Sequence, residues 1–206
     1  MIRLYYAPGT CALAAHMVLE EVGADYELCK VDLKAGEQKQ PAYLAINPKG
    51  SVPALAVEEG ILTENPAILT WLADDFAEAD LGPGDDPYQR ARFASHLGFL
   101  GSTVHPQIGR LLFNKEPSFD DEAKAHQRGV VTSKLRILED DLFHGPWAMG
   151  DRFTAADPYQ AVFERWARQA GLLDKHDFPK LNAHLDVVQD RPAAIAALKA
   201  EGLAPV

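Results

Sequence analysis

One change of pattern near residue 80 constrains this chain more than any other feature. Before it, short β-rich runs alternate with helical ones; after it, no alternating strand pattern returns. Ile2–Tyr6 is β-rich and is broken by Pro8-Gly9, and residues 11–22 then carry Leu13, Met17, Leu19 and Val22 at helical spacing with Gly23 as a stop signal. Residues 26–33 read as a second strand. A helix between two strands fits a crossover connection, so this pair is expected to be parallel. A polar loop at 34–40 and a short helical piece at 41–45 precede strands at 53–58 and 61–62 around a turn at Glu59-Gly60, and residues 64–76 form a helix.

The order β-α-β-α-β-β-α is that of a thioredoxin-like α/β domain with a small mixed sheet. Residues 77–86 are acidic, hold two Gly and one Pro, and mark a boundary. The expected division is a first domain over 1–77, a linker over 78–86, and an all-α domain over 87–206. The latter opens with a helix over 87–114, whose stripe of Phe93, Leu97, Leu100, Val104, Ile108 and Leu111 is spaced 4, 3, 4, 4 and 3 apart. Helices follow at 120–143, 154–170, 179–190 and Pro192–Ala200. Thr154 and Asp157 stand where a capping box would hold the start of the helix at 154–170, a structural role.

Composition limits the chemistry. The 206 residues are 47% hydrophobic, as in a packed globular protein, and 20 basic against 30 acidic residues give −10, which repels phosphate backbones and argues against nucleic acid. Apolar runs such as 52–57 are far shorter than the roughly 20 residues of a membrane span. The N-terminal residues lack the apolar core of a signal peptide, so a cytoplasmic location is expected. Two cysteines, eighteen positions apart, make neither a disulfide framework nor a metal-ligand spacing. No metal is expected. No phosphate-binding glycine loop and no nucleophile elbow is present.

Cys11 follows the Pro8-Gly9 turn at the first turn of a helix, where free N–H groups and the helix dipole favour a thiolate; a small buried residue is the other reading. Cys29 lies within a strand and reads as packing. Val52-Pro53 opens a strand, either as an ordinary entry proline or as a cis bond. Thr63-Glu64-Asn65 precedes a helix and either caps it or binds an amino acid zwitterion. On the long helix, Gly98, Gly101, Ser102, His105 and Gly109 share a face away from the apolar stripe. Three interior glycines each cost about 1 kcal/mol relative to Ala, so a close approach by a helix, subunit or ligand is expected there. Pro106 should disturb the helix beside His105.

Tyr-Tyr-Ala-Pro-Gly-Thr-Cys-Ala-Leu at 5–13, Tyr-Leu-Ala-Ile-Asn-Pro-Lys-Gly-Ser-Val-Pro-Ala-Leu at 43–55, Leu-Thr-Glu at 62–64, Phe-Thr-Ala-Ala-Asp at 153–157 and Arg-Pro-Ala…Ala-Glu-Gly-Leu at 191–203 together resemble the bacterial beta-class glutathione S-transferases. The resemblance implies a cytoplasmic homodimer in detoxification. Its first domain would bind glutathione as co-substrate, and its helical domain would hold a hydrophobic electrophile. It further implies that Cys11 and His105 are catalytic, with Tyr6, Val52, Pro53, Glu64, Asn65 and Ser102 completing the glutathione site. Val52 would pair with the cysteinyl unit through its backbone, and Glu64 with the Asn65 N–H would receive the γ-glutamyl amine and carboxylate. Phe113 and Trp166 are candidates for the electrophile pocket.

Three departures from the family pattern stand out. Gly98 replaces an Asn. Gly36 replaces a carboxylate-binding Lys, leaving Lys34 or Lys39 to substitute. Asn65 replaces a small residue and is expected to add bulk against glutathione. Conjugation of a glutathione thiolate is the leading expectation; thiol–disulfide exchange through Cys11, and a non-catalytic carrier, are the alternatives.

Overall fold

A computed structural model describes residues 1–114 and 116–206. By internal contacts the chain divides into two compact units, Met1–Gly82 with Gln189–Pro205, and Pro83–Val188 with Val206.

The first unit is built on a sheet of order β2-β1-β3-β4. β1 (Ile2–Tyr6) and β2 (Tyr26–Lys30) are parallel, with Leu4 opposite Leu28, and they flank α1 (Ala12–Glu21) as the crossover predicts. Residues Ala12 to Leu19 of α1 are all buried, and the helix ends where Gly23 takes φ 64, so that its N–H reaches Glu20 and the Ala24 N–H reaches Leu19. β2 stops short of the expected residue 33 because the Asp32 carboxylate accepts from the N–H groups of Lys34 and Ala35 and turns the chain. A 3₁₀ turn at Glu37–Lys39 and α2 (Pro41–Leu44) follow. β3 (Ala54–Val57) runs antiparallel to β1 and to β4 (Gly60–Thr63). The hairpin loop is Glu58-Glu59, one residue earlier than expected, with Gly60 already in β4 at φ 148. α3 (Asn65–Asp75) packs on α1.

The second unit begins with α4 (Pro87–Phe99), whose Gln89 N–H is capped by Asp86 at 2.8 Å. A π-helical turn at Leu100–Val104 and α5 (His105–Phe113) continue it. The disturbance expected from Pro106 is this turn: Pro106 has no N–H to return to the preceding helix, and the widened turn absorbs the defect. α6 (Asp121–Arg136) likewise ends in a π turn at Ile137–Leu142. α7 (Ala156–Gln169) is buried over most of its length, and α8 (Pro179–Gln189) follows.

Asp157 performs the capping role, accepting from the Thr154 N–H at 2.6 Å and from the Ala148 N–H at 2.6 Å. It is also part of a buried ionic cluster. His184 sits between Asp157 (3.0 Å) and Glu164 (2.7 Å), all three side chains fully enclosed. Burial alone would lower the His184 pKa, but Glu164 and Asp157 outweigh it and raise it to about 10.

The last helix corrects the expected division. α9 (Pro192–Ala200), placed by sequence in the 87–206 domain, packs along α1 in the first unit. Its buried Ala194, Ala197 and Leu198 form an apolar stripe, and periodicity identifies such a stripe without naming its partner. Arg191 forks onto Glu21 at 2.5 and 2.7 Å to seal this packing.

Candidate active site

Between β1 and α1 the chain turns on Ala7–Cys11. The Thr10 hydroxyl donates to the Ala7 carbonyl at 2.7 Å and accepts from the Ala12 N–H at 3.3 Å, which sets Cys11 as the last residue before α1. Cys11 is 7% exposed. Its Sγ donates to the Val52 carbonyl at 3.7 Å, and its own carbonyl accepts from Asn65 Nδ2 at 2.8 Å. Burial, reinforced by Glu64, pushes the thiol up to about 12 against the backbone and Asn65 hydrogen bonds that favour the thiolate. Of the two readings of Cys11, the buried residue is the one this structure supports, and burial favours its thiol over the thiolate.

Residues 39–53 deliver Val52 to this point. Tyr43 Oη and Asn47 Nδ2 both donate to the Ser51 carbonyl at 2.8 Å, so the peptide before Val52 is held from two sides. The Val52-Pro53 bond is cis. Lys39 does not stand ready for a ligand carboxylate, because its Nζ donates to the Gly50 carbonyl at 2.9 Å. Lys34 is exposed, and its backbone N–H bonds to Asp32.

Glu64 takes φ 72, a backbone region that a non-glycine residue adopts only when its surroundings impose it. The capping reading of Thr63-Glu64-Asn65 fails. α3 has no side-chain cap, Thr63 Oγ1 accepts from Lys49 Nζ at 2.9 Å, and the exposed Glu64 carboxylate accepts from the same Nζ at 2.9 Å. Asn65 is turned inward, 3% exposed, towards Cys11. Its side chain ties the start of α3 to the start of α1 and adds no bulk at the surface.

Glu201, His16, Asn47 and Lys49 support the candidate site and were missed by sequence reasoning. Just past α9, Glu201 accepts from the Gly9 N–H at 2.8 Å and from His16 Nδ1 at 2.9 Å, with both side chains fully buried. The end of the chain thus holds the Pro8-Gly9 turn that presents Cys11. Tyr6 packs on this cluster, 6.0 Å from the His16 ring, and burial and Glu201 raise its pKa. Asn47, Lys49 and Glu201 all lie inside the family-like segments 43–55 and 191–203, which was the available signal.

Of the remaining candidates, Ser102, His105, Phe113 and Trp166 fall in the second unit. The Ser102 hydroxyl donates to the Gly98 carbonyl at 2.7 Å. His105 lies 5.3 Å from Phe163 and 5.5 Å from Trp166, and Phe113, 59% exposed, stands edge-on over the buried Trp166 at 5.4 Å. The structure thus brings His105, Phe113 and Trp166 into one aromatic group. Among the described residues of this chain no helix approaches Gly98 closely, where a Cβ would meet nothing within 4 Å, and Gly109 is in ordinary contact, 3.9 Å from His105 and Phe113.

Residues 1–74 match the family "Glutathione S-transferase, N-terminal domain", and residues 121–186 match "Glutathione S-transferase, C-terminal domain". The chain is 34% identical over 204 residues to glutathione S-transferase GstA of Escherichia coli O157:H7, covering 98% of this chain and 100% of that one. A sphingomonad glutathione S-transferase solved with glutathione is 41% identical, with a TM-score of 0.87 over 98% of this chain and 100% of the other. A glutathione transferase homologue from Sulfitobacter, also solved with bound glutathione, is 33% identical with a TM-score of 0.89 over 99% of both chains. The bacterial beta-class enzyme of Sphingomonas chungbukensis is 38% identical at a TM-score of 0.87, over 98% of this chain and 100% of that one. Sequence motifs, sheet order and whole-chain similarity agree: the chain belongs to the glutathione S-transferase family and resembles its bacterial beta-class members.

Proposed function

We propose that this protein is a glutathione transferase that binds glutathione on its first unit and directs the thiolate at an apolar electrophile. The observation that carries this reading is the convergence of three groups: the Val52 backbone beside Cys11, the strained and exposed Glu64, and the uncapped start of α3. In this assignment the γ-glutamyl carboxylate meets the Asn65 N–H and the α3 dipole, its amine meets Glu64, and the cysteinyl unit pairs with Val52. The Glu64–Lys49 pair is exposed, so an incoming amine displaces it at little cost. Tyr6 and Pro53 shape the floor beside these groups. His105, Phe113 and Trp166 offer the electrophile an aromatic surface, with Ser102 on the same helical segment.

Reaction requires that the glutathione thiol, ordinarily near pKa 9, lose its proton; lowering it to about 7 multiplies the thiolate fraction at neutral pH roughly fiftyfold. Cys11 serves as a neutral donor to that sulfur. The thiolate then forms a C–S bond as the leaving group departs with its electron pair. Thiol–disulfide exchange is the weaker reading, since a thiol at about 12 is ionised to only about one part in 10⁵ at pH 7. The protein is assigned to cytoplasmic detoxification as a homodimer. Among the described residues no helix is long and apolar enough to cross a membrane.

Conjugation of glutathione to 1-chloro-2,4-dinitrobenzene, followed by absorbance, tests the reading. The wild type should turn over, and Cys11→Ala should retain activity within about fivefold, the worth of one neutral hydrogen bond. Loss of all activity in Cys11→Ala, with disulfide exchange present in the wild type, would reverse the assignment.

A further inference from the structure

The helical unit contains a polar chain that conjugation does not use. His96, on α4 and 8% exposed, meets Gln160 Oε1 through Nε2 at 2.9 Å; Gln160 Nε2 donates to Glu164 Oε1 at 2.8 Å, and Glu164 Oε2 meets His184 Nδ1 at 2.7 Å. Because the Gln160 amide nitrogen donates to Glu164, that bond fixes which end of the amide faces His96. The amide oxygen faces it, and His96 Nε2 therefore carries the proton. Burial lowers the His96 pKa, which keeps the ring neutral at pH 7 and leaves Nδ1 as a bare lone pair.

Nδ1 has no hydrogen-bond partner among the described residues. His96 helps to line a cavity of about 350 Å³, with Phe99, Leu142 and Met149 as apolar walls and the exposed Arg92 and Ser95 at the rim. A cavity of this size suits one substituted ring, and an unpaired acceptor on a lining residue selects for a donor. Arg92 adds a positive charge suited to oxygen bearing partial negative charge.

We propose that this cavity is a ligand site of its own, within the helical unit, for a small apolar aromatic bearing a weakly acidic hydroxyl, such as a chlorinated phenol that donates to His96 Nδ1. The site goes beyond the glutathione reading and does not depend on it. Calorimetric titration with 2,4-dichlorophenol, in excess S-hexylglutathione to occupy any glutathione site, tests it. One phenol should bind per chain, about tenfold or more tighter than 2,4-dichloroanisole, which lacks the donor. Ser95→Phe, which fills the cavity from an exposed position and leaves the His96–Gln160 bond intact, should abolish binding. His96→Phe should erase the preference for phenol over anisole. Equal affinity for the two ligands, undiminished binding to Ser95→Phe, or binding that emerges only when the protein is diluted to monomer, meaning that a second copy covers this face, would each overturn the proposal. Glutathione conjugation by the same samples reports separately on the transferase reading.

Discussion

Cys11 sets two physical effects against each other. A helix N-terminus favours negative charge by about 0.3–1 kcal/mol, less than one pKa unit, whereas full burial can raise a thiol by several units. Burial wins here, and the thiol stands at about 12. Sequence left the helix terminus and burial as open alternatives, because the groups that enclose Cys11, Val52 and Asn65, lie 41 and 54 residues away. The same distance hid the inward turn of Asn65, whose replacement of a smaller residue read as bulk. The Cys11 peptide should therefore be alkylated by iodoacetamide at a rate that keeps rising with pH to 10 and beyond. Mass spectrometry of quenched digests measures this, and a plateau near pH 7 would show a stabilised thiolate instead.

Helices and strands were legible wherever a local signal set them. Gly23 closes α1, Asp86 and Asp120 cap α4 and α6, and the parallel crossover follows from strand, helix, strand. The π turns after α4 and α6 were not legible, since a periodic stripe continues through them and only Pro106 marked the first. The Thr154–Asp157 capping box was recognised, but His184, 27 residues from Asp157, could not be joined to it. Protonated His184 holds two buried carboxylates together. Its folded pKa, about 10 against 6.5 unfolded, means that its stabilisation is full below about pH 6.5, declines as pH rises and is lost above about 10. His184→Leu should lower stability at pH 7 by about 3–5 kcal/mol by stranding the carboxylates, and should flatten the loss of stability between pH 7 and 10. Urea denaturation across that range checks both, and an unchanged pH profile would refute the assignment.

At the scale of the whole chain, the first unit is closed by its last residues. Glu201, 192 positions from Gly9, holds the turn that presents Cys11, so the candidate site depends on both ends of the sequence. Sequence alone reached this region only as a family-like ending. Glu201→Ala removes the carboxylate shared by the Gly9 N–H and the fully buried His16 and should cost about 3 kcal/mol in urea denaturation. A change below about 1 kcal/mol would show that the turn stands without it. The net charge of −10 repels an anion as a whole, so glutathione must be captured by local groups: Glu64, the Val52 peptide and the start of α3. Calorimetric titration of the wild type and of Glu64→Ala with glutathione tests that claim most directly. The account predicts saturable binding below about 1 mM with one glutathione per chain, weakened at least about tenfold in Glu64→Ala. The absence of binding to the wild type at millimolar glutathione, or equal affinity in the variant, would contradict it.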